Sequence, residues 1–78
     1  MKKWEYNYSG SVIAVENRMS GERLYVNGEL QDETMASFTG EARLWGRLPA
    51  GEEIKVSLGG AFSVQCRVFV DNKLLMPK

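Results

Sequence analysis

Apolar and polar residues change places at every second position along most of this chain. In "VSLGGAFSVQCRVFV" (56–70), Phe62, Val64, Cys66, Val68 and Val70 fall on one side and Ser63, Gln65, Arg67 and Phe69 on the other. That is the period of a pleated strand with one face buried. "EARLWGRL" (41–48) divides likewise, with Ala42, Leu44, Gly46 and Leu48 inward and Arg43, Trp45 and Arg47 outward. The same alternation predicts strands over about residues 3–8, 11–17, 22–26, 29–33 and 53–58. Turn-forming residues punctuate these runs at Ser9-Gly10, Ser20-Gly21, Asn27-Gly28, Leu48 to Glu52, Gly59-Gly60 and Asp71-Asn72. Their spacing, about 8 to 12 residues, is that of a sandwich or barrel. The nearest helical candidate, "LQDETMASF" (30–38), lacks an apolar stripe. The pattern therefore predicts an all-β chain: a small antiparallel β-sandwich of seven or eight short strands, with residues 1–78 as one domain.

One phrase occurs twice. "RLYVNGEL" (Arg23 to Leu30) is matched in residue character by "RVFVDNKL" (Arg67 to Leu74). Asn27-Gly28 tolerates positive φ at both central positions of a two-residue type I′ turn, whose twist suits the flanking strands. Asp71-Asn72 serves the same turn at a greater backbone cost, because neither residue is glycine. Two-residue loops set Tyr25 opposite Leu30, Phe69 opposite Leu74 and Arg23 opposite Asp32. Phe69 and Leu74 then lie away from the core face that carries Val68 and Val70. By analogy Tyr25 and Leu30 point outward while Leu24 and Val26 point inward. A second layer must cover these aromatic-leucine pairs, or they are exposed for a reason.

Composition narrows the chemistry. Seventy-eight residues lie near the size at which a single core supplies only about 3 to 5 kcal/mol of net stability. Ten basic and ten acidic residues cancel and alternate along the chain, so no broad field draws a polyanion or an anionic membrane. Neither a nucleic-acid nor a membrane partner is expected. "MKKWEYNYSG" has no apolar run of the kind a secretory signal carries, and a single cysteine, Cys66, suits a reducing compartment. The expected location is cytoplasmic. The absence of histidine removes the commonest general base and metal ligand.

In "IKVSLGGAFSVQCRVFVDNKLL" (54–75), Ile54-Lys55-Val56 is an alternating strand and Gly60-Ala61-Phe62 a glycine turn followed by an aromatic. Cys66-Arg67-Val68-Phe69 is a second alternating strand, and Val70-Asp71-Asn72-Lys73 a hairpin. This progression resembles the β-domains of the Fas apoptotic inhibitory molecule family. "IAVENRMSGERLYVNGE" (13–29) looks like that family's other strand-SG-strand hairpin, one or two residues shorter. Together the two segments cover about half of the chain. The resemblance implies a compact β-sandwich, a soluble intracellular protein, and binding in place of catalysis. Members of the family carry two such domains; this chain has room for one.

The strand "RLWGR" is the most suggestive constellation. Arg43, Trp45 and Arg47 share one face, giving an indole between two guanidinium groups that suits stacking on a planar ligand or gripping an oxyanion. The plainer reading pairs them with acidic neighbours across the sheet and covers Trp45 with arginine stems. Glu29, Asp32 and Glu33 lack the spacing of a calcium loop, and Glu52-Glu53 reads as a turn exit. "SLGGAF" joins two strands and opens no helix, so it does not cradle phosphate. Cys66 on the apolar side is expected to be buried, protonated and inert. Trp4, Tyr6 and Tyr8 form a stripe that suits core packing better than a sugar platform.

These readings lead to a non-catalytic protein-interaction module with its candidate surface at Arg43, Trp45, Arg47, Arg67, Phe69 and Tyr25. No catalytic, cofactor-binding or metal-ligating set is expected. A monomer or weak homodimer suits a small sandwich with open edges. The alternative is a small carbohydrate-binding module, and an enzyme has least support.

Overall fold

The computed structural model describes residues 2–35, 41–60 and 63–76. Eight strands follow in order: β1 (Lys2–Tyr8), β2 (Ser11–Arg18), β3 (Gly21–Val26), β4 (Glu29–Glu33), β5 (Ala42–Arg47), β6 (Glu53–Gly59), β7 (Gln65–Val70) and β8 (Lys73–Leu75). They form two antiparallel meanders, β1-β2-β3-β4 and β5-β6-β7-β8. The inward residues of both meet in one apolar core. Tyr6, Ile13, Val15, Leu24 and Val26 from the first sheet pack with Leu44, Leu48, Ile54, Val56, Leu58, Val68 and Val70 around the second. This is the sandwich the alternation predicts. Phe62, assigned above to the inner side, lies outside the described residues, as do residues 36–38 of the 30–38 segment; its first part, Leu30 to Glu33, is strand.

Three of the hairpins close with positive φ at both central residues: Ser9 and Gly10 (50° and 83°), Asn27 and Gly28 (50° and 83°), and Asp71 and Asn72 (47° and 67°). The repeated phrase does more than turn the chain. In each copy its first turn residue reaches the neighbouring strand through both backbone and side chain. Asn27 N donates to the Val12 carbonyl at 2.9 Å, and Val12 N donates back to Asn27 Oδ1 at 2.9 Å. Asp71 N donates to the Glu53 carbonyl at 3.0 Å, and Glu53 N donates to Asp71 Oδ1 at 3.0 Å. Each carboxamide or carboxylate extends the ladder between the second and third strands of its sheet by one position, so a residue with a short oxygen-bearing side chain that tolerates positive φ is needed there.

The register confirms Tyr25 opposite Leu30 and Phe69 opposite Leu74. It corrects the third pairing. A shift between Leu24 and Tyr25 sets Arg23 opposite Glu33, not Asp32, and Arg23 Nε lies 3.2 Å from the Glu33 carboxylate. The shift releases Asp32 for another task. β5 is the edge strand of its sheet, and its backbone amides would be open to pairing with another chain. Instead Trp45 N donates to Asp32 Oδ2 at 2.9 Å and Arg47 N to Gln31 Oε1 at 3.3 Å. The "ELQDE" segment is thus an exposed arm on one side and a cap on the β5 edge on the other. Gly46 permits the approach, since a Cβ there would lie 3.0 Å from Leu24 Cδ2 and 3.2 Å from Gln31 Cβ.

The β2–β3 end is held by a buried carboxylate. Glu22 accepts from Asn17 Nδ2 at 2.7 Å and from Thr34 Oγ1 at 2.8 Å, while Thr34 N donates to the Glu22 carbonyl at 2.9 Å. Gly21 makes room for this strap: a Cβ at its φ of +136° would collide with the Thr34 carbonyl.

Candidate functional site

The two outer faces differ in kind. On the first sheet, cross-strand pairing sets Lys3 beside Glu16, Glu16 beside Arg23 and Arg23 beside Glu33, a row of alternating charge. Lys3 also lies 3.7 Å from Glu5 and Arg18 2.8 Å from Glu16. The Arg23 guanidinium additionally donates to the Tyr25 hydroxyl at 3.5 Å. Every cation on this face has an acidic neighbour.

On the second sheet the outward positions fall into three rows. The middle one runs Trp45–Lys55, Lys55–Phe69 and Phe69–Leu74. Trp45 is 48% exposed and Leu74 53%, with Phe69 half-buried between neighbours. The Lys55 ammonium sits 5.3 Å from the centre of the Trp45 ring, within reach of its negative face. The lysine of the next strand is a neighbour of the indole that reading along the chain did not include. A second row sets Arg43 beside Ser57 and Ser57 beside Arg67. A third sets Arg47 beside Glu53, with Arg47 also donating to the Gly51 carbonyl at 3.0 Å.

The outer positions of β5, β6 and β7 therefore carry four cations, Arg43, Arg47, Lys55 and Arg67, against the single carboxylate of Glu53. Among the described residues Arg43 and Arg67 form no ion pair and no side-chain hydrogen bond. They flank a depression of about 280 Å³ that Ser57, Gln65 and Gly59 also line. Glu41, just ahead of β5, lies on its rim and has a partner of its own.

Of the six candidate surface residues, Arg43, Trp45, Arg47, Arg67 and Phe69 come together on this face. Tyr25 does not: it is half-buried on the outer face of the first sheet, beside Leu30. Sequence reasoning left Lys55 and Ser57 out of the site, although both sit on the outward parity of β6; the loop that sets the β5–β6 register decides which arginines and indole they meet. No second layer covers either aromatic-leucine pair among the described residues.

Trp4, Tyr6 and Tyr8 point inward against the core, with Tyr6 fully buried. The Tyr6 hydroxyl donates to the Cys66 carbonyl at 3.5 Å. Burial, reinforced by Cys66, pushes the Tyr6 phenol well above its ordinary range. Cys66 is half-buried at the core margin, where burial raises its thiol more than the Tyr6 hydroxyl lowers it. It is a protonated thiol at neutral pH, poorly suited to nucleophilic work. Among the described residues no three histidine, cysteine or carboxylate side chains cluster as metal ligands would.

No family model matches this chain, and no curated protein or solved structure shows significant similarity to it.

Proposed function

We propose that this chain is a non-catalytic module that recognises another protein through the outer face of its second sheet. The observation that carries the reading is the exposed cross-strand row Trp45–Lys55–Phe69–Leu74. Tryptophan and arginine are the residue types on which interface energy concentrates, and here an indole shares its strand face with Arg43 and Arg47 and has the Phe69–Leu74 pair in its cross-strand row. The likeness to the Fas apoptotic inhibitory molecule family implies binding as well. The sugar-binding alternative draws no support from Trp4, Tyr6 and Tyr8, which pack on the core.

The test is substitution of Trp45 and Phe69 by alanine, singly. The folded state should survive, as circular dichroism and thermal melting report, while capture of a protein partner is lost. Unfolding by both changes would make these residues structural and remove the site. A tryptophan emission that responds to oligosaccharides and not to captured protein would favour the sugar module instead.

A further inference from the structure

We infer, building on that reading, that the recognised segment of the partner is an acidic, extended peptide. One aspartate or glutamate carboxylate is gripped between Arg43 and Arg67, and an apolar side chain two residues along rests on Trp45 and Phe69.

The inference begins with charge. The chain is neutral overall, yet its outer faces are not alike. Lys3, Arg18 and Arg23 on the first sheet are each matched with a carboxylate. On the second, Arg43, Arg47, Lys55 and Arg67 stand against Glu53 alone within the strands. A positive face calls for a negative partner, and mismatched charge at an interface is penalised.

Geometry then narrows the ligand. Arg43 and Arg67 lie two strand spacings apart, roughly 10 Å at the backbone, with the small Ser57 between them. Nothing from β6 rises to separate the two long side chains, so both guanidinium groups can lean over Ser57 onto one planar oxyanion, the geometry in which arginine is strongest. Arg47 is already engaged by Gly51 and neighboured by Glu53, which leaves Arg43 and Arg67 as the pair to be satisfied. From Arg43 to Trp45 along β5 is two residues, about 7 Å, the same distance that separates side chains i and i+2 of an extended peptide. An acid at i and an apolar residue at i+2 therefore match the two rows together.

A carboxylate peptide fits better than nucleic acid. Phosphate-tracking surfaces are strongly basic over a whole face or domain, whereas this chain is neutral overall and exposes Leu74 beside the cations.

The experiment selects a random dodecapeptide library on the full chain, then measures the enriched peptides, each carrying a fluorophore, by anisotropy titration against variants at Arg43, Trp45, Arg67 and Phe69. Enriched sequences should carry Asp or Glu two positions from Leu, Ile, Phe, Tyr or Trp. Arg43→Gln with Arg67→Gln should weaken their binding at least tenfold with the melting temperature unchanged. Glutamine or asparagine in place of the acid should do the same. Added salt should weaken the native complex more than that of the double variant.

Failure to enrich any peptide, or enrichment of neutral or basic ones, would overturn the inference. Peptides that depend on Trp45 and Phe69 but are indifferent to Arg43→Gln and Arg67→Gln would also overturn it while leaving the broader protein-binding reading intact. Peptides indifferent to all four positions would overturn both. A single-stranded oligonucleotide, or vesicles of phosphatidylserine in phosphatidylcholine, that bind more tightly than the best peptide through Arg43 and Arg67 would reassign the pair to phosphate and refute the carboxylate assignment.

Discussion

Asn27 offers the sharpest test of why one phrase occurs twice. Its φ of 50° places it where an ordinary L-residue pays about 1–2 kcal/mol. Its side-chain oxygen also receives the Val12 amide at 2.9 Å, a solvent-exposed bond contributing on the order of 0.5 kcal/mol, at the low end of its class. Asn27→Ala loses both and should cost about 2 kcal/mol, which for a domain of this size is a fall of about 8–16 °C in Tm. Asn27→Gly keeps the backbone conformation and loses only the acceptor, so it should cost about 0.5 kcal/mol. Asp71, with φ 47° and the Glu53 amide at 3.0 Å, should repeat this order. Urea and thermal unfolding give the ranking. Amide hydrogen exchange separates the two contributions, because the glycine variants should lose protection at Val12 or Glu53 respectively and little elsewhere. If the alanine and glycine variants prove equally stable, the backbone argument is wrong. If the Val12 amide stays protected in Asn27→Gly, the side-chain bond is not what holds it.

Asn72→Gly, which gives the second copy of the phrase the residue that the first has at Gly28, should stabilise the chain by up to about 1 kcal/mol, read as a higher urea midpoint with an unchanged slope. Gly46→Ala should destabilise by about 1–2 kcal/mol, since its Cβ meets Leu24 and Gln31 at 3.0–3.2 Å, and a core-facing overlap of this kind is only partly relieved by side-chain movement. Glu22→Ala strands the Asn17 amide and the Thr34 hydroxyl and should cost about 2–4 kcal/mol; Glu22→Gln should cost clearly less, and equal losses in chemical denaturation would refute the hydrogen-bond account. Alkali should unfold the protein through Cys66 and Tyr6. Both stay neutral in the folded chain above the ordinary values of 9.0 and 10.0 at which the unfolded chain releases their protons. Their contribution is whole below about pH 9 and is lost as pH rises toward the higher folded values. Tyr6→Phe and Cys66→Ala should flatten the decline of Tm with pH, and a slope unchanged in both variants would remove this cause.

Much of the fold was legible because a half-buried strand writes its two faces into alternate residues. Arg43, Trp45 and Arg47 could be placed outward, and Leu44 and Leu48 inward, without knowing any neighbour. What a strand touches across the sheet depends on register, and register is set by loops and bulges. The shift at Leu24/Tyr25 is marked by no glycine or other special residue, so the pairing of Arg23 with Glu33 in place of Asp32 could not be read locally. The capping of Trp45 and Arg47 amides by Asp32 and Gln31 depends on how two sheets meet at a corner, which period two does not encode. Lys55 over Trp45 needed the β5–β6 register, fixed by the turn in which Leu48 N donates to the Glu52 carbonyl.

Charge shows where reading along the chain and reading across it part. In sequence the ten cations and ten acids intermingle, and that argues against any extended field. Folding re-sorts them, because parity sends alternate residues to opposite faces and the meander then brings together positions 10 to 20 residues apart. Arg43 and Arg67 are separated by 24 positions in the chain and by one strand in the sheet, with a serine between them. Glu16 and Glu33, equally ordinary in the sequence, land beside Lys3 and Arg23 and neutralise the opposite face. Neutral composition thus constrains long-range steering only. Charge complementarity at contact distance is set by the net charge of one face, and in this chain the face with the excess of cations is also the one that exposes an indole.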